Sequence, residues 1–473
     1  MPHMKSIASV LSVIALGLAL FSCSGGGGGG GGSTQAFAVS TTAADFGVVD
    51  NAYTSTLATT GGTAPFTWTL FGGVLPTGLP AFSIDPGTGV VSGTPTVADN
   101  FTATFTVTDS AGQTATGSVL FAIHPRTDRV SVNSSGTAGN GTSTEPAISS
   151  ANGRFIAFTS LATLAPTPGG SGAQIFAHDR QTGQPSLVSI NSIGNAGDGA
   201  SSQPTISADG RYVAFTSVAP NLAPIPGAIG SQIFLRDTQS NTTVLVSQDA
   251  VGNAGNGASS EPTISADGRF VAFTSAATNL APIIGGSGSQ IFLRDTQANQ
   301  TILVSRDTMG NAGNGASSEA TISGNGQFVA FTSQATNLAS LVGGSGSQIF
   351  LRDTIGNATT LVSRDTTGNA GNGASSHPTI GATNGQFVAF TSLATNLAAT
   401  LGGSGSQIYL RDTQGNQTSL VSKDNSVPAN AGNGASSAPA VVGDGGFVAF
   451  ASGAATLVSG GNAASQVYVR AMP

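Results

Sequence analysis

One phrase, an aromatic residue followed by Val-Ala-Phe or a close variant, recurs six times between residues 127 and 473. It begins at Phe155, Tyr212, Phe270, Phe328, Phe387 and Phe447, at steps of 57 to 60 residues. Self-similarity at such a period indicates a repeat architecture, in which each unit buries its apolar face against the next unit. This repeat constrains the fold more than any other feature of the chain.

One unit contains four short apolar runs that predict four strands. In the third unit they are Pro262–Ser265, Phe270–Ser275, Gln290–Asp295 and Thr301–Ser305. The Asp-Gly pair between the first two runs suits a tight turn. Four strands per unit, repeated radially, predict one blade of a β-propeller, and six units predict six blades.

The two ends of the repeat region predict how such a ring closes. The sixth unit stops after Val467–Arg470 and lacks a fourth strand, whereas Arg129–Asn133 precedes the first unit and matches the fourth-strand phrase Leu303–Asp307. Pairing these two segments would remove an open sheet edge. We therefore expect residues 129–133 to complete the sixth blade and to close a six-bladed propeller over residues 127–473.

The unit phrase Ser-x-Pro-Thr-Ile-Ser-Ala-Asp-Gly-Arg-(Tyr/Phe)-Val-Ala-Phe-Thr-Ser, followed by Asn-Leu and by Ile-Phe-Leu-Arg-Asp-Thr, resembles the WD40-like propeller repeats of TolB type. The resemblance covers all six units and implies a propeller, a fold that serves binders, scaffolds and enzymes alike. Many relatives carry Asp-x-Asn just before the Ile-Phe strand. This chain has Gly-Ser-Gly-Ser-Gln there, so no metal site is carried over.

Residues 36–124 differ from the repeats and predict a small β-sandwich. Thr and aromatic residues alternate in short runs separated by Gly and Pro turns, as in half-buried strands. The runs Leu75–Leu79, Ile84–Pro95 and Phe105–Gly112 resemble the Ig-like repeats of bacterial surface proteins, which implies a spacer domain. We expect Trp68 in its core. Asp109 is interpreted as a turn residue, because calcium needs six to eight oxygen ligands.

The N-terminus predicts a secretory signal over residues 1–22. Lys5 precedes an uncharged apolar stretch from Ile7 to Phe21 that is short for a membrane span. Leu20-Phe-Ser-Cys23 resembles a bacterial lipobox, which implies cleavage before Cys23 and lipidation of that residue; an ordinary secretory signal with an incidental cysteine is the alternative.

The residues after Cys23 extend this interpretation. Ser24, rather than Asp, implies the outer membrane for a lipoprotein of a Gram-negative cell. Eight glycines, Gly25–Gly32, form most of a flexible tether over residues 23–35.

Charge and cysteine content exclude several functions. The chain has 22 acidic and 15 basic residues, a formal net charge of −7, which disfavours nucleic acid as a partner. A single cysteine excludes an internal disulfide and a cysteine-based zinc site. We expect no cofactor.

Glutamate is the most informative charged residue. The chain has three, Glu145, Glu261 and Glu319, all at one repeat position just before the first strand. Gln203, His377 and Ala438 occupy that position in the other units. Because the first strand of a blade lines the channel, we name Glu145, Gln203, Glu261, Glu319 and His377 as candidate ligand-binding residues at its mouth. They could bind a cation, an amine or sugar hydroxyls, or form a solvated collar.

The loops suggest a second surface. Each unit is preceded by a variant of Gly-Asn-Ala-Gly-Asn-Gly-Ala-Ser-Ser and has a long loop between its second and third strands. In a four-stranded blade both connections emerge on one face. A broad face rich in Asn, Ser and Gly suits hydrogen bonding to glycans or peptides, although the same residues serve plain turn chemistry.

Catalytic motifs find little support in this sequence. The chain has four histidines and shows neither a Gly-x-Ser-x-Gly elbow opening a helix nor a nucleotide loop. We therefore predict a monomeric, non-enzymatic outer-membrane lipoprotein, anchored to the membrane by its lipid. Its propeller would bind a glycan, a peptide or an envelope protein. The alternatives are a hydrolase or lyase acting on an envelope or extracellular polymer at the channel mouth, and a periplasmic partner in an envelope complex, like TolB.

Overall fold

The computed structural model describes residues 35–472 except for 79–80, 151–152, 167–169, 341, 382–383, 399–401, 427–429 and 459–463. All regular structure in this part of the chain is β-sheet, which confirms the predicted all-β class. None of it is a helix capable of spanning a membrane. The predicted signal sequence, Cys23 and the glycine run lie outside the described residues.

The first domain is the predicted β-sandwich. Its strands are β1 (Ala38–Val39), β2 (Gly47–Val48), β3 (Tyr53–Thr56), β4 (Thr59–Thr60), β5 (Thr67–Gly73), β6 (Ser83–Ile84), β7 (Val90–Gly93), β8 (Asn100–Thr108) and β9 (Thr114–His124). They form sheets in the orders β2-β9-β8-β5 and β3-β7-β6, with β1 paired to β4. Trp68, Phe105 and Phe121 are buried between the sheets, as the alternation of apolar and polar residues requires.

Asp109 is the turn residue expected from the sequence. Its Oδ1 accepts the backbone N–H groups of Ala111 and Gln113, and its Oδ2 accepts that of Thr63. Burial alone would raise the pKa of Asp109, but these hydrogen bonds outweigh it and hold the pKa below the ordinary value. The carboxylate therefore closes the β8–β9 turn.

Six consecutive sheets follow, each built from antiparallel neighbours in chain order. The strands are β10 (Ser143–Ile148), β11 (Phe155–Ser160), β12 (Gln174–Asp179), β13 (Gln184–Leu187), β14 (Ser201–Ile206), β15 (Tyr212–Ser217), β16 (Gln232–Asp237), β17 (Thr242–Leu245), β18 (Ser259–Ile264), β19 (Phe270–Ser275), β20 (Gln290–Asp295), β21 (Gln300–Leu303), β22 (Ser317–Ile322), β23 (Phe328–Ser333), β24 (Gln348–Asp353), β25 (Ala358–Leu361), β26 (Ser375–Ile380), β27 (Phe387–Ser392), β28 (Gln407–Asp412), β29 (Gln417–Leu420), β30 (Ser436–Val441), β31 (Phe447–Ser452) and β32 (Gln466–Ala471). Among the described residues, five sheets have four strands, and the sixth, β30-β31-β32, has three. The propeller-like organisation predicted from the repeat is confirmed.

Each sheet packs face to face on the next through a separate apolar cluster. Between the second and third sheets, Ile233, Leu235 and Val246 of one pack on Val271 and Phe273 of the other. The recurring aromatic residues stack in pairs between adjacent strands of the same sheet. The ring centroids of Phe273 on β19 and Phe292 on β20, for example, are 6.0 Å apart. The repeated aromatic residues therefore belong to the core between the sheets.

The expected closing strand is not formed. Residues 129–131 belong to no strand, and Val132 instead bridges Ala138 within a local turn. The phrase that suggested the match explains the difference: in every complete unit the fourth strand ends at its leucine, and the following Val-Ser leaves the ladder. Residues 129–133 thus match the segment after a strand rather than the strand itself, and β32 has only β31 as a described partner.

The segment just before residue 129 is held by the Ig-like domain. Arg126 forms an ion pair with Asp50 at 3.3 Å, and His124 Nδ1 lies 3.0 Å from Asp128 Oδ2. The same domain also contacts the first sheet, where the Gln181 side-chain amide donates to the carbonyl oxygen of Ala44. The chain leading into the repeats is therefore fixed beside the first sheet.

Candidate functional site

The predicted channel-mouth residues lie at one repeated irregularity of the first strand. Each first strand has a register shift against the second, between Ser260 and Thr263 in the third unit. The residue inside this bulge has positive φ: 53° to 55° at Glu145, Gln203, Glu261, Glu319 and His377, and 51° at Ala438. Such a conformation is uncommon for residues other than glycine and needs support from its surroundings.

At Gln203, Glu261, Glu319 and His377 that support comes from the unit before. Glu261 Oε2 accepts the backbone N–H of Glu319 at 3.1 Å and the Thr274 hydroxyl at 3.0 Å. Glu319 Oε2 in turn accepts the backbone N–H of His377 at 2.8 Å and the Thr332 hydroxyl at the same distance. Each side chain thus links the bulge of the next sheet to the second strand of its own sheet.

Gln203 shows that this link needs no charge. Its Oε1 accepts the Glu261 backbone N–H and the Thr216 hydroxyl, both at 3.0 Å. Its own backbone N–H donates to Glu145 Oε2 at 2.7 Å. We call the five residues Glu145, Gln203, Glu261, Glu319 and His377 the strand-one ladder. The structure places them in sequence order along neighbouring first strands, and each carboxylate already accepts hydrogen bonds from its neighbours.

The chemistry open to the ladder is limited by these contacts. His377 Nε2 lies 3.5 Å from Glu319 Oε1, and the histidine side chain is exposed. Within the described residues, no group of three or more His, Cys, Asp or Glu side chains could hold a metal ion. The ladder therefore acts through hydrogen bonds between sheets.

A buried glutamine at the start of the third strand organises the loops. Gln290 Nε2 donates to the carbonyl oxygens of Ser287, Gly313 and Gly315, and its Oε1 accepts the Ser305 hydroxyl. The same contacts recur at Gln174, Gln232, Gln348 and Gln407. The sequence signal for this role is that a glutamine begins the third strand in every one of these units, before Ile-Phe or Ile-Tyr. The glutamine joins the long second-to-third-strand loop to the segment that leads into the next unit.

An asparagine in each of the second to fifth units holds the segment that leads into that unit; the third unit is the example here. Asn279 Nδ2 donates to the carbonyl oxygen of Ala254, and its Oδ1 accepts the N–H of Asn256. Asn256 also exchanges hydrogen bonds with Thr278, from its Nδ2 to the threonine hydroxyl and from the threonine N–H to its Oδ1. Equivalent pairs are Asn314–Thr336 and Asn372–Thr395. The long second-to-third-strand loops and the segments that lead from one sheet to the next therefore meet at one edge of the sheets, as predicted. We call this edge the connection edge.

The first part of each segment between two sheets does not lie at the connection edge. Residues 248–254 form a small hairpin, closed by the bridge between Gln248 and Ala254 and by Asp249, which accepts the N–H groups of Val251 and Asn253. The Thr301 hydroxyl, on the outer strand of the next sheet, donates to the carbonyl oxygen of Gln248 at 2.6 Å. The hairpin thus folds over the outer strand of its neighbour instead of joining the connection edge.

The repeated arginine on the third strand completes this attachment. Arg294 is buried, and it donates to Thr301 Oγ1, to Asn299 Oδ1 and to the carbonyl oxygen of Asp249. Arg352 makes the equivalent contacts. Burial lowers the pKa of Arg352 to about 10, and the positive charge of Arg306 acts in the same direction. These arginines donate to neutral oxygens, whereas Arg269, in the β18–β19 turn, forms an ion pair with Asp295 at 2.6 Å.

Comparisons with known proteins separate the two domains. Residues 33–124 match the family described as "Putative Ig domain", which assigns this segment as an Ig-like domain. No curated protein matches the chain in sequence. Solved structures that resemble this chain in fold include a TolB-like protein and other propeller-like proteins.

Three solved structures illustrate this likeness. A "putative TolB" of Agrobacterium tumefaciens is 14% identical with a TM-score of 0.36, over 70% of this chain and 91% of that chain. A structure from a study of two prolyl endopeptidases is 12% identical with a TM-score of 0.43, over 86% of this chain and 50% of that chain. The periplasmic gluconolactonase of Pseudomonas aeruginosa is 14% identical with a TM-score of 0.32, over 78% of this chain and 95% of that chain. We base no functional argument on likenesses this distant.

Proposed function

We propose that this chain is a non-enzymatic binding or scaffold module of the cell envelope, and that the connection edge is its binding surface. The observation that carries the proposal is the repeated hydrogen bonding of that edge. Gln290 and Asn279 hold the backbone of two successive units in place, so little conformational freedom is left for a partner to remove on binding.

The same edge still presents side chains for recognition. Exposed Asn-Thr pairs recur along it, and large aliphatic side chains stand beside them. These are Val218, Ile284, Val342 and Leu393, each 56% to 62% exposed. Polar groups around apolar contacts are the composition of a protein interface. An envelope protein or a peptide is therefore the partner class that we favour over a glycan.

The alternative of a polymer-degrading enzyme gains nothing from the strand-one ladder. Glu145, Glu261 and Glu319 each accept a threonine hydroxyl and a backbone N–H within the stack. An uncharged Gln203 fills the same role. We therefore assign these residues to the stability of the stack and not to acid–base chemistry.

We also propose that Cys23 anchors the protein to the outer membrane, with the glycine run as its tether. Metabolic labelling with a fatty acid should mark the wild-type protein and leave Cys23→Ala unlabelled and in the soluble fraction. If Cys23→Ala stayed in the membrane fraction, the anchor would lie elsewhere. Protease treatment of intact cells then tells a surface-exposed protein from a periplasmic one.

The binding surface is testable by site-specific photocrosslinking in the source cells. A photoreactive residue at Ala276, exposed on the connection edge, should yield a discrete crosslinked product. The same residue at Gln297, which is also exposed and lies in the β20–β21 turn of the same unit, is the matched control. Crosslinking at Gln297 but not at Ala276, or at neither position, would contradict the proposed surface.

A further inference from the structure

The Ig-like domain meets the first sheet at a contact made largely by polar and aromatic side chains. The side-chain amide of Gln181 donates to the carbonyl oxygen of Ala44. Beside it, the Arg180 guanidinium lies over the Phe46 ring, 4.7 Å from the ring centroid. We call this contact the domain joint, and it comprises residues 44–46, 124–128 and 178–181.

Two histidines lie in the domain joint, one from each side. His124 ends β9, packs edge-on against Phe46 at 5.7 Å between ring centroids, and places its Nδ1 3.0 Å from Asp128 Oδ2. His178, on β12, is 3% exposed. Nε2 of His124 and Nδ1 of His178 are both buried without a hydrogen-bond partner among the described residues. In an imidazolium both ring nitrogens carry a proton, so the Nδ1 proton of a charged His178 would be buried without an acceptor, which is costly.

The first sheet differs from the later sheets at this place. His178 stands where every later unit has an arginine, and Pro185, its partner on β13, stands where the third unit has Thr301. In the third sheet, Arg294 and Thr301 donate to the hairpin that precedes that sheet. The first sheet has neither of these donors, and it carries a titratable side chain instead at the position where the Ig-like domain lies beside it.

We propose that the domain joint is a pH-dependent contact, stable while His178 is neutral and weakened when His178 takes up a proton. Weakening of the joint would let the six sheets move relative to the Ig-like domain. Acidity would thereby control how rigidly the two parts of the chain are held together.

The surroundings of His178 set the sign of this dependence. Burial has the largest effect, and it lowers the pKa of His178 from the ordinary value of 6.5. Among the charged groups that face His178, two attract a proton, Asp128 and Asp179, and two oppose it, His124 and Arg180. Asp179 is already paired with Arg154 at 2.7 Å. A histidine released from the joint would regain its ordinary pKa. The joint is therefore stable above about pH 6.5 and loses stability as the pH falls below that value.

Fluorescence energy transfer within the full chain tests this proposal. Dyes at Ala111→Cys in the Ig-like domain and at Gln297→Cys in the third unit, both exposed positions, report the distance between the two parts, with Cys23→Ala in every chain. From pH 8 to pH 5 the transfer efficiency should change with a midpoint below pH 6.5. The circular dichroism should stay constant, because both parts remain folded. His178→Gln, which cannot take up a proton, should keep the pH 8 efficiency throughout. His377→Gln removes an exposed histidine outside the joint and should behave as wild type.

Histidine NMR of the wild-type sequence adds a measurement that does not depend on a variant. The His178 ring should titrate below pH 6.5, over the same range in which the transfer efficiency changes. A constant transfer efficiency down to pH 5 would overturn the proposal. So would a change that persists in His178→Gln at the wild-type midpoint, or a His178 ring that titrates at pH 6.5 or above.

Discussion

The inner sheets and the two end sheets have almost the same sequence but different surroundings. Ile408 in the fifth sheet is fully buried, and Val467 at the same position of the sixth is 79% exposed. Their neighbours on the strand are alike, Tyr409 and Tyr468. Among the described residues, the fifth sheet has a fourth strand and is followed by another sheet, and the sixth sheet has neither. In a repeat protein, burial is thus decided by the neighbouring unit, and the ends show which surface the inner interfaces cover.

The largest expected effect comes from removing an apolar contact at an inner interface. Ile349→Ala truncates a fully buried side chain of the fourth sheet and should lower the free energy of unfolding by about 2–5 kcal/mol. Val467→Ala, the corresponding change at the end, should stay within about 0.5 kcal/mol. Urea unfolding, followed at a concentration where the chain is monomeric, measures both. Equal losses would mean that the end surface is covered within one molecule.

The buried arginine gives a smaller contrast. Arg352→Met leaves Asn357 Oδ1 and the Asp307 carbonyl oxygen without this donor and should cost about 1–3 kcal/mol. Arg470→Met, at the more exposed end position, should cost less, although Arg470 reaches the Lys423 carbonyl oxygen at 2.6 Å. Denaturant midpoints of the two variants give the comparison. A larger loss for Arg470→Met would contradict the role given to the inner arginines.

The strand-one ladder offers a matched pair at one site. Glu261→Ala removes the acceptor of the Glu319 N–H and should cost about 1–2 kcal/mol. Glu261→Gln should remain within about 0.5 kcal/mol of wild type, because Gln203 performs the same task one unit earlier. Thermal unfolding of both variants provides the measurement. If Glu261→Ala were as stable as wild type, or if Glu261→Gln lost ligand binding, the ladder would have a functional role and not a structural one.

The smallest effect concerns acid stability at the hairpins. Burial alone would raise the pKa of Asp365, but hydrogen bonds from Asn369 and Thr367 lower it to about 2, below its ordinary value of 3.8. A lowered carboxyl pKa contributes stability above about pH 4 that is lost as the pH falls towards 2. Asp365→Asn should flatten this part of the stability curve, as Asn191 accepts the equivalent hydrogen bonds. A melting curve at each pH from 5 to 2 shows whether the slope changes.

The repeat predicted the sheets well because each strand pairs with its neighbour in sequence. The position of the strand-one residues side by side also follows from the period alone. What the ladder does was not predictable, since the positive φ of Glu261 and its hydrogen bond to the next bulge depend on the register shift between two strands. Likewise, the match of residues 129–133 to a repeat phrase could not show where a strand ends.

The exposed face of the sixth sheet is the central claim about this architecture, and hydrogen exchange measured by mass spectrometry tests it most directly. At a concentration where the chain is monomeric, peptides from β28 should keep their amide protons far longer than peptides from β32. Both strands pair on one side with a second strand, but only β28 also pairs with a fourth strand and packs under a further sheet. Equal and long-lasting protection of β32 would contradict the account, because it would show that the sixth sheet is covered within a single molecule.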